Sequence, residues 1–306
     1  MDNKIFRGTY GIVLTPFDEN GNVDYNTLEK YSARVAQSND INGLVVCGST
    51  GEFTRLSFEE NTELMKVVRN VTGKEKQLVC GATAGDSYTA AKYVEAINTI
   101  GADGILLAPP YYFALEEDEI LAYYDDVIKS NDRKTPIVGY NIPQCTNPVS
   151  VNVFEKLLNY DCVKGFKNSW NDMQQITMEI AIRNSKRPDV SMLTGLDACL
   201  YGTLALGGDG LFTAITYLMP EIMNYIYISY EKDEKKSFEC QCDLIELLNA
   251  VNRFTFPYGY RVLSKAIGMP LGKCREKVSS SLNVKTEAAL EELNRIYEKL
   301  IKKYVA

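Results

Sequence analysis

Eight short apolar runs recur along the first 214 residues of the chain, and they constrain its fold more than any other feature. Each run is apolar throughout rather than alternating, which is typical of parallel strands buried on both faces. Amphipathic stretches with apolar residues at helical spacing lie between the runs. The eight runs span residues 11–15, 43–47, 77–82, 104–108, 136–140, 163–167, 191–195 and 210–214.

Eight strands with seven helices between them match the TIM barrel, and we predict an α/β protein with this closed (β/α)8 fold. A doubly wound open sheet is the alternative, but it ordinarily uses fewer units, and no G-x-G-x-x-G fingerprint follows the first strand. Residues 1–218 are expected to form the barrel. The pattern is helical after residue 218, so residues 219–306 are predicted to form C-terminal helices packed on the barrel as one structural unit.

Capping residues and turn residues mark the ends of several of these elements. Asp24 precedes an amphipathic stretch as an N-cap, and Ser57 with Glu60 forms the capping-box pattern. The segment GGDG at 207–210 precedes the eighth run. It is therefore expected to be a turn at the N-terminal end of the barrel and not a phosphate loop.

The composition excludes several classes of protein. The chain has no histidine, which rules out Ser-His-Asp and Cys-His hydrolases and every metal site that needs histidine. Its net charge is −7, and Lys and Arg are scattered, so nucleic acid is not an expected partner. No apolar run approaches the roughly 18 residues of a membrane span, and the N-terminus lacks the apolar core of a secretory signal. We expect a cytoplasmic protein whose eight cysteines stay reduced.

The residues that end the strands are the candidate site residues, because the active site of a TIM barrel lies at the C-terminal ends of its strands. Strand two leads into GSTGE at 48–52, strand four into PPYY at 109–112, and strand seven into TGLD at 194–197. Strand five ends with Tyr140, and strand six ends with Lys167.

These residue types fit one chemistry. Lys167 can condense with a ketone to form an imine, and the protonated imine accepts the electrons of a breaking C–C bond. A free lysine has a pKa of about 10.4, so an apolar barrel mouth is expected to favour the neutral amine by desolvation. Tyr140 can relay protons, and Ser49 and Thr50 can offer N–H and hydroxyl groups to a carboxylate. This chemistry requires no metal and no cofactor.

Each of these residues also has a purely structural explanation. A lone lysine at a strand end is usually a solvated charge, a lone tyrosine is usually a half-buried barrel residue, and GSTGE alone could be a tight turn. Their combination at the ends of strands two, five and six favours a catalytic site. Glu52 is predicted to be structural, through hydrogen bonds to the GSTGE loop.

The motifs GSTGE, PPYY, YNIP and GFK together resemble the dihydrodipicolinate synthase and N-acetylneuraminate lyase superfamily. Its members are Schiff-base pyruvate lyases and aldolases on a TIM barrel with C-terminal helices. The resemblance extends from GTYGIVLTPFDENGNVD near the N-terminus through LALGGDGLFTA. It implies pyruvate and an aldehyde as the reactants, and a homotetramer built as a dimer of dimers.

The resemblance also implies a role for each candidate residue. Lys167 matches the imine-forming lysine, and Tyr140 matches the tyrosine that shuttles protons. Ser49 and Thr50 match the pair that binds the keto-acid carboxylate, and Ser49 also joins the proton relay. Tyr112 matches a tyrosine that reaches into the site of the partner subunit. Three residues on the last two strands complete the predicted substrate-binding set: Gly195, Asp197 and Phe212.

Two positions depart from the patterns of the best-known family members. Synthases usually carry an arginine two residues after the proline of YN-x-P, where this chain has Cys145. Neuraminate lyases usually carry an Asp-Glu pair after the strand-seven glycine, where Ala198 follows Asp197. We predict a 2-keto-3-deoxy sugar-acid aldolase, with dihydrodipicolinate synthase and N-acetylneuraminate lyase as alternatives. The polar residues predicted to bind a short polyol are Thr146, Asn147, Asn168, Ser169 and Asp197.

Two functions from other classes remain as alternatives. A catalytically idle barrel that binds a metabolite has no need for Lys167, Tyr140, Ser49 and Thr50 together. A phosphate-binding barrel isomerase needs a glycine-rich turn after strand seven or eight, and the sequence has none there.

Overall fold

The computed structural model describes residues 4–305, in which eight parallel strands close into a barrel in sequence order. This confirms the predicted TIM barrel. The first strand starts three residues before the predicted run and also ends three residues before the run ends. The predicted run extended too far because the apolar residues that follow the strand are buried without being part of it. The strands are β1 Gly8–Ile12, β2 Gly43–Val46, β3 Gln77–Gly81, β4 Gly104–Leu107, β5 Ile137–Asn141, β6 Val163–Asn168, β7 Ser191–Thr194 and β8 Gly210–Thr213.

Across residues 4–305, seven α-helices join successive strands, and five more follow the last strand. The predicted caps are present: Asp24 accepts a hydrogen bond from the Thr27 N–H, and Ser57 and Glu60 form a capping box. The helices are α1 Tyr25–Ala36, α2 Phe58–Thr72, α3 Ser87–Ile100, α4 Glu117–Lys129, α5 Val151–Leu157, α6 Met173–Lys186, α7 Leu200–Ala205, α8 Ala214–Leu218, α9 Pro220–Lys232, α10 Glu234–Val251, α11 Tyr258–Ala266 and α12 Ser280–Tyr304.

Aromatic side chains fill the barrel interior below its C-terminal end. Phe6 lies edge-on to Tyr10 and Phe212, with ring centroids 6.4 and 6.2 Å away. Tyr10 and Phe212 are register partners on β1 and β8, and their ring centroids are 4.6 Å apart. Such contacts among buried rings contribute to the packing of the core.

This packing corrects the assignment of Phe212 to substrate binding. The Phe212 side chain is fully buried and is not among the residues that line the cleft at the strand ends. Its register with Tyr10, the third residue of β1, places it in the layer below that cleft. Phe212 therefore supports the site from the core.

The turn GGDG lies at the N-terminal end of the barrel, as predicted. The carbonyl of Asp209 accepts a hydrogen bond from the N–H of Gly8, the first residue of β1. Its buried carboxylate lies 2.6 Å from Lys4 Nζ and 3.5 Å from Arg183 Nη1. The Asp209 side chain therefore ties the last strand to α6 and to the segment before β1.

The helices α9 to α12 pack on the barrel, and α11 reaches its C-terminal end. The hydroxyl of Tyr260 donates to Asp197, which follows β7, and the guanidinium of Arg261 donates to the carbonyl of Thr15, beyond β1. The C-terminal helices thus form part of the wall around the strand ends. Within residues 4–305, no helix is long and apolar enough to cross a membrane.

Candidate active site

Tyr140 and Lys167 lie side by side at the C-terminal end of the barrel. They are register partners on β5 and β6. Lys167 is only 1% exposed, and its Nζ lies 3.9 Å from the centroid of the Tyr140 ring. Because the whole side chain is enclosed, Lys167 is not a solvated charge at the edge of a strand. It is a buried amine at the base of a cleft.

A second hydroxyl contacts Tyr140. The phenol oxygen of Tyr140 lies 3.0 Å from Ser169 Oγ, and both groups are buried. The family pattern implied a relay between Tyr140 and Ser49. Within the described residues Ser49 lines the same cleft but its hydroxyl makes no hydrogen bond, so the contact to Tyr140 in this structure comes from Ser169.

Gly195, directly after β7, makes room for the lysine. A Cβ at this position would lie 2.5 Å from Lys167 Cε and closer still to Ser169 Oγ. The Gly195 N–H also donates to the carbonyl of Asn168 at 2.8 Å, which holds the two strand ends together. Gly195 therefore acts through the space that it leaves, and any side chain here would displace Lys167 or Ser169.

The GSTGE loop forms a short 3-10 turn beside the lysine. The Thr15 hydroxyl donates to the Gly51 carbonyl at 2.6 Å. Glu52 adopts a left-handed conformation with φ of 61° and is buried. Its carboxylate pairs with Arg55 and lies 3.3 Å from Arg261 Nη1. Glu52 is therefore structural, since these two cations hold the loop that carries Ser49 and Thr50.

Asp197 is buried on the opposite wall and has two donors already. It accepts hydrogen bonds from the Tyr260 hydroxyl at 2.9 Å and from the Ile215 N–H at 3.2 Å. Burial raises the pKa of the Asp197 carboxyl, while the hydrogen bonds lower it. Burial and the neighbouring Asp197 charge together raise the pKa of Tyr260 well above its usual value. Tyr260 therefore presents a neutral phenol, hydrogen-bonded to Asp197, to the cleft.

The cleft above Lys167 has a volume of about 540 Å³. Among its described lining residues, Lys167 is the sole basic side chain and Asp197 the sole acidic one. Four further neutral polar groups line the cleft, and two of them belong to the C-terminal helical region. These groups are Gln144, Asn171, Asn252 and Tyr260.

A second compartment of about 480 Å³ adjoins this cleft and shares Ser49, Tyr140 and Cys145 with it. Its charged residues are Glu52 and Arg55, which pair with each other. Cys145 stands where synthases usually carry an arginine, and apart from Lys167 no described residue lining either compartment adds an unpaired cation.

Two of the residues predicted to bind a polyol are directed elsewhere. Asn147 uses its amide to hydrogen-bond Leu115, Pro110 and Phe113, so it braces the loop after β4. Asn168 points out of the barrel toward α6, because successive residues of a strand face opposite sides. Ser169 and Asp197 do line the cleft, and Thr146 lines the adjoining compartment.

Tyr112 lies at the rim and turns outward. It is 91% exposed, has a left-handed φ of 82°, and packs edge-on against the exposed ring of Phe113. A non-glycine residue in this region of backbone space is strained. Four described non-glycine residues have positive φ, and three of them, Cys47, Glu52 and Tyr112, lie at the ends of β2 and β4.

Strand-end reasoning missed Ser169 as a partner of Tyr140, and it missed Tyr260 entirely. Ser169 lies two residues after Lys167, so the period of a strand would have placed both side chains on one face. Tyr260 lies 63 residues from Asp197 in sequence, and no local pattern connects them. All eight cysteines are free thiols, and residues 4–305 contain no cluster of metal-ligating side chains.

A family model described as the dihydrodipicolinate synthetase family matches residues 5–298. The chain belongs to this family. It is accordingly a carbon–carbon lyase or aldolase of the dihydrodipicolinate synthetase family. The strand-end residues described above are therefore the candidate active site of such an enzyme.

Several relatives resemble the chain over most of its length. An uncharacterised DapA-like lyase of Pyrococcus horikoshii is 34% identical over 72% of this chain and 75% of its own. The structure of 2-keto 3-deoxygluconate aldolase from Picrophilus torridus has a TM-score of 0.76 and 27% identity, covering 84% of this chain and 91% of its own. The CdNal structure from Clostridium difficile, in complex with mannosamine, has a TM-score of 0.87 at 22% identity, covering 95% and 99%, which is a likeness of fold.

The space at residue 195 leads to a test. We expect Gly195→Ala to slow covalent capture of pyruvate by about a hundredfold, because a side chain there moves Lys167 by about an ångström from its place beside Tyr140. The rate of borohydride-trapped adduct formation, followed by intact mass, measures this. Gly202→Ala in α7 is the matched control, since a Cβ there meets nothing within 4 Å. Equal rates in Gly195→Ala and the wild type would contradict this role.

Proposed function

We propose that the protein is a class I aldolase that cleaves a 2-keto-3-deoxy sugar acid to pyruvate and an aldehyde through an imine at Lys167. The observation that carries the proposal is the buried Lys167 amine against Tyr140, at the base of a cleft with no other cation among its described lining residues. Membership of the dihydrodipicolinate synthetase family supports it. The same site can run the reaction in the direction of C–C bond formation.

In the proposed reaction, the neutral amine of Lys167 attacks the C2 carbonyl of the substrate, and water leaves as the imine forms. Ser49 and Thr50 bind the C1 carboxylate through N–H and hydroxyl groups. Tyr140 gives its hydroxyl proton to the departing water as the imine forms, and the resulting phenolate then takes the proton of the C4 hydroxyl. The C3–C4 bond breaks, the electrons of that bond move into the protonated imine, and Tyr140 later returns the proton to C3. The aldehyde departs, the resulting enamine is protonated at C3, and water releases pyruvate from the lysine.

The polar lining of the cleft supports an uncharged aldehyde. Gln144, Asn171 and Asn252 offer amides, which match the hydroxyl groups of a polyol. Cys145 offers no fixed positive charge to a second carboxylate. The likeness to the Picrophilus torridus protein named as a 2-dehydro-3-deoxy-D-gluconate/2-dehydro-3-deoxy-phosphogluconate aldolase, at 28% identity over 81% of this chain and 91% of its own, agrees with this substrate class.

The assembly is also part of the proposal. The exposure of Tyr112 and its strained backbone support a role at the site of a second copy of the chain, as the family pattern implies. We propose a homotetramer built as a dimer of dimers, with the barrel and its C-terminal helices as one structural unit. We expect it to act in the cytoplasm, without a cofactor.

The imine step is tested by reductive trapping. Incubation with pyruvate and borohydride should add the mass of a reduced pyruvyl group, and Lys167→Ala should abolish the adduct. Lys164→Ala is the matched control, because Lys164 lies on the same strand but pairs with Asp189 at the surface. A wild-type mass that pyruvate and borohydride leave unchanged would rule out the proposed chemistry.

The substrate is tested by a panel. We expect 2-keto-3-deoxy sugar acids to be cleaved to pyruvate faster than N-acetylneuraminate, and pyruvate to condense slowly with aspartate semialdehyde. The missing charge-assisted contact beside Cys145 is worth roughly 1.5–3 kcal/mol, or one to two decades in binding of a second carboxylate. Pyruvate release and consumption measure the rates. Efficient condensation with aspartate semialdehyde would identify a dihydrodipicolinate synthase instead.

A further inference from the structure

The outer side of β6 carries a polar contact that the proposed reaction does not use. Asn168 lies between Lys167 and Ser169, and its side chain points away from the cleft. Its Nδ2 donates to Oε2 of Glu179 at 2.8 Å. Glu179 is a fully buried residue of α6, so the strand that carries the lysine is joined to the helix behind it by a buried carboxyl group.

The second oxygen of Glu179 also faces an N–H donor. Gln175 Nε2 donates to Glu179 Oε1 at 2.7 Å. Both amides are fixed in orientation by other bonds, because Asn168 Oδ1 accepts from the Trp170 N–H and Gln175 Nε2 also donates to the Val149 carbonyl. The pattern is therefore complete only with an ionised carboxylate, which accepts at both oxygens.

The surroundings of Glu179 disfavour that ionised form. Burial raises the pKa of the Glu179 carboxyl most, the bonds from Gln175 and Asn168 lower it, and the nearby charge of Asp172 raises it, which together bring the pKa to about 7. Arg183, one turn along α6, contacts Asp209 and the Gly207 carbonyl. The residues of β7 and α7 at this contact bear no charge: Met192, Leu193, Thr194 and Thr203.

Ionisation of the buried acid therefore does not strengthen folding. Its usual pKa is 4.5 and its folded value is about 7, so folding becomes less favourable as the pH rises through that interval. The contact of Glu179 with Asn168 leads instead to the strand end that carries Lys167.

We propose that Glu179 is a positioning residue: through Asn168 it holds the end of β6 so that Lys167 and Ser169 face Tyr140 across Gly195. The Asn168 carbonyl accepts the Gly195 N–H at 2.8 Å, which links the same residue to the glycine that makes room for the lysine. This inference rests on the proposed imine at Lys167. The residue acts from outside the cleft, behind the wall of the barrel.

Exchange of the amide and carboxyl groups between positions 168 and 179 tests the proposal. In Glu179→Gln, the new amide N–H faces the N–H of Asn168 or of Gln175. In Asn168→Asp, the new carboxylate faces the carboxylate of Glu179. We expect each single change to slow formation of the trapped pyruvate adduct by about tenfold at saturating pyruvate. In the double variant the donor and the acceptor are exchanged and every bond is restored, so its rate should return to within about threefold of the wild type.

The pH dependence separates positioning from a general loss of structure. Protonation of Glu179 places an O–H donor opposite the N–H donor of a neighbour. Glu179→Gln places an N–H donor there at every pH. The ratio of the wild-type rate to the Glu179→Gln rate should therefore be larger at pH 8 than at pH 6. Glu155→Gln is the matched control, since Glu155 pairs with Lys186 at the exposed side of α5 and α6, and its rate should equal that of the wild type.

All rates are compared per folded protein, as judged by circular dichroism at 25 °C. If the wild type forms the adduct and Glu179→Gln forms it equally fast at pH 8, the inference is wrong and the proposed function stands. If the wild type forms no adduct, both are wrong. If Glu179→Gln does not fold, the double variant decides, because a folded double variant that remains tenfold slow would also overturn the inference.

Discussion

The pairing of β5 with β6 places Tyr140 beside Lys167, and the rest of the candidate site depends on that contact. The lysine is buried, and its Nζ lies 3.9 Å from the centre of the phenol ring. A buried amine needs space, and Gly195, directly after the next strand, provides it by having no side chain. The proposed chemistry needs an amine, a proton relay and a carboxylate site within one cleft. Lys167, Tyr140, Ser49 and Thr50, the residues proposed for these roles, all line the same cleft.

The C-terminal helices contribute side chains directly to the walls of the candidate site. Two consecutive residues of α11 reach opposite sides of the barrel mouth: Tyr260 contacts Asp197 after β7, and Arg261 contacts Glu52 beside the GSTGE loop. Because both contacts are largely buried, a movement of α11 would shift both walls of the cleft together. Asn252 adds an amide from the end of α10 to the same space.

The fold and the centre of the site could be predicted because they depend on local patterns. Continuous apolar runs indicated the strands, and the residues ending those strands indicated Lys167, Tyr140, Ser49 and Thr50. Residues that depend on packing at a distance could not be predicted in this way. Tyr260 reaches the site from a helix far along the chain, and Phe212 turned out to fill the core because the register of β8 with β1 sets its height. Asn168 was misplaced for a simpler reason, since strand periodicity already turns it away from its neighbour Lys167.

The most direct measurement of the central claim is a crystal structure of the protein after reduction with borohydride in the presence of pyruvate. If Lys167 forms the imine, continuous density should extend from Lys167 Nζ to the C2 atom of the reduced pyruvyl group. Its carboxylate should lie at hydrogen-bonding distance, about 2.7–3.2 Å, from N–H or hydroxyl groups of Ser49 and Thr50. The Tyr140 hydroxyl should face the same adduct. An unmodified Lys167, or an adduct on a different lysine, would contradict the account.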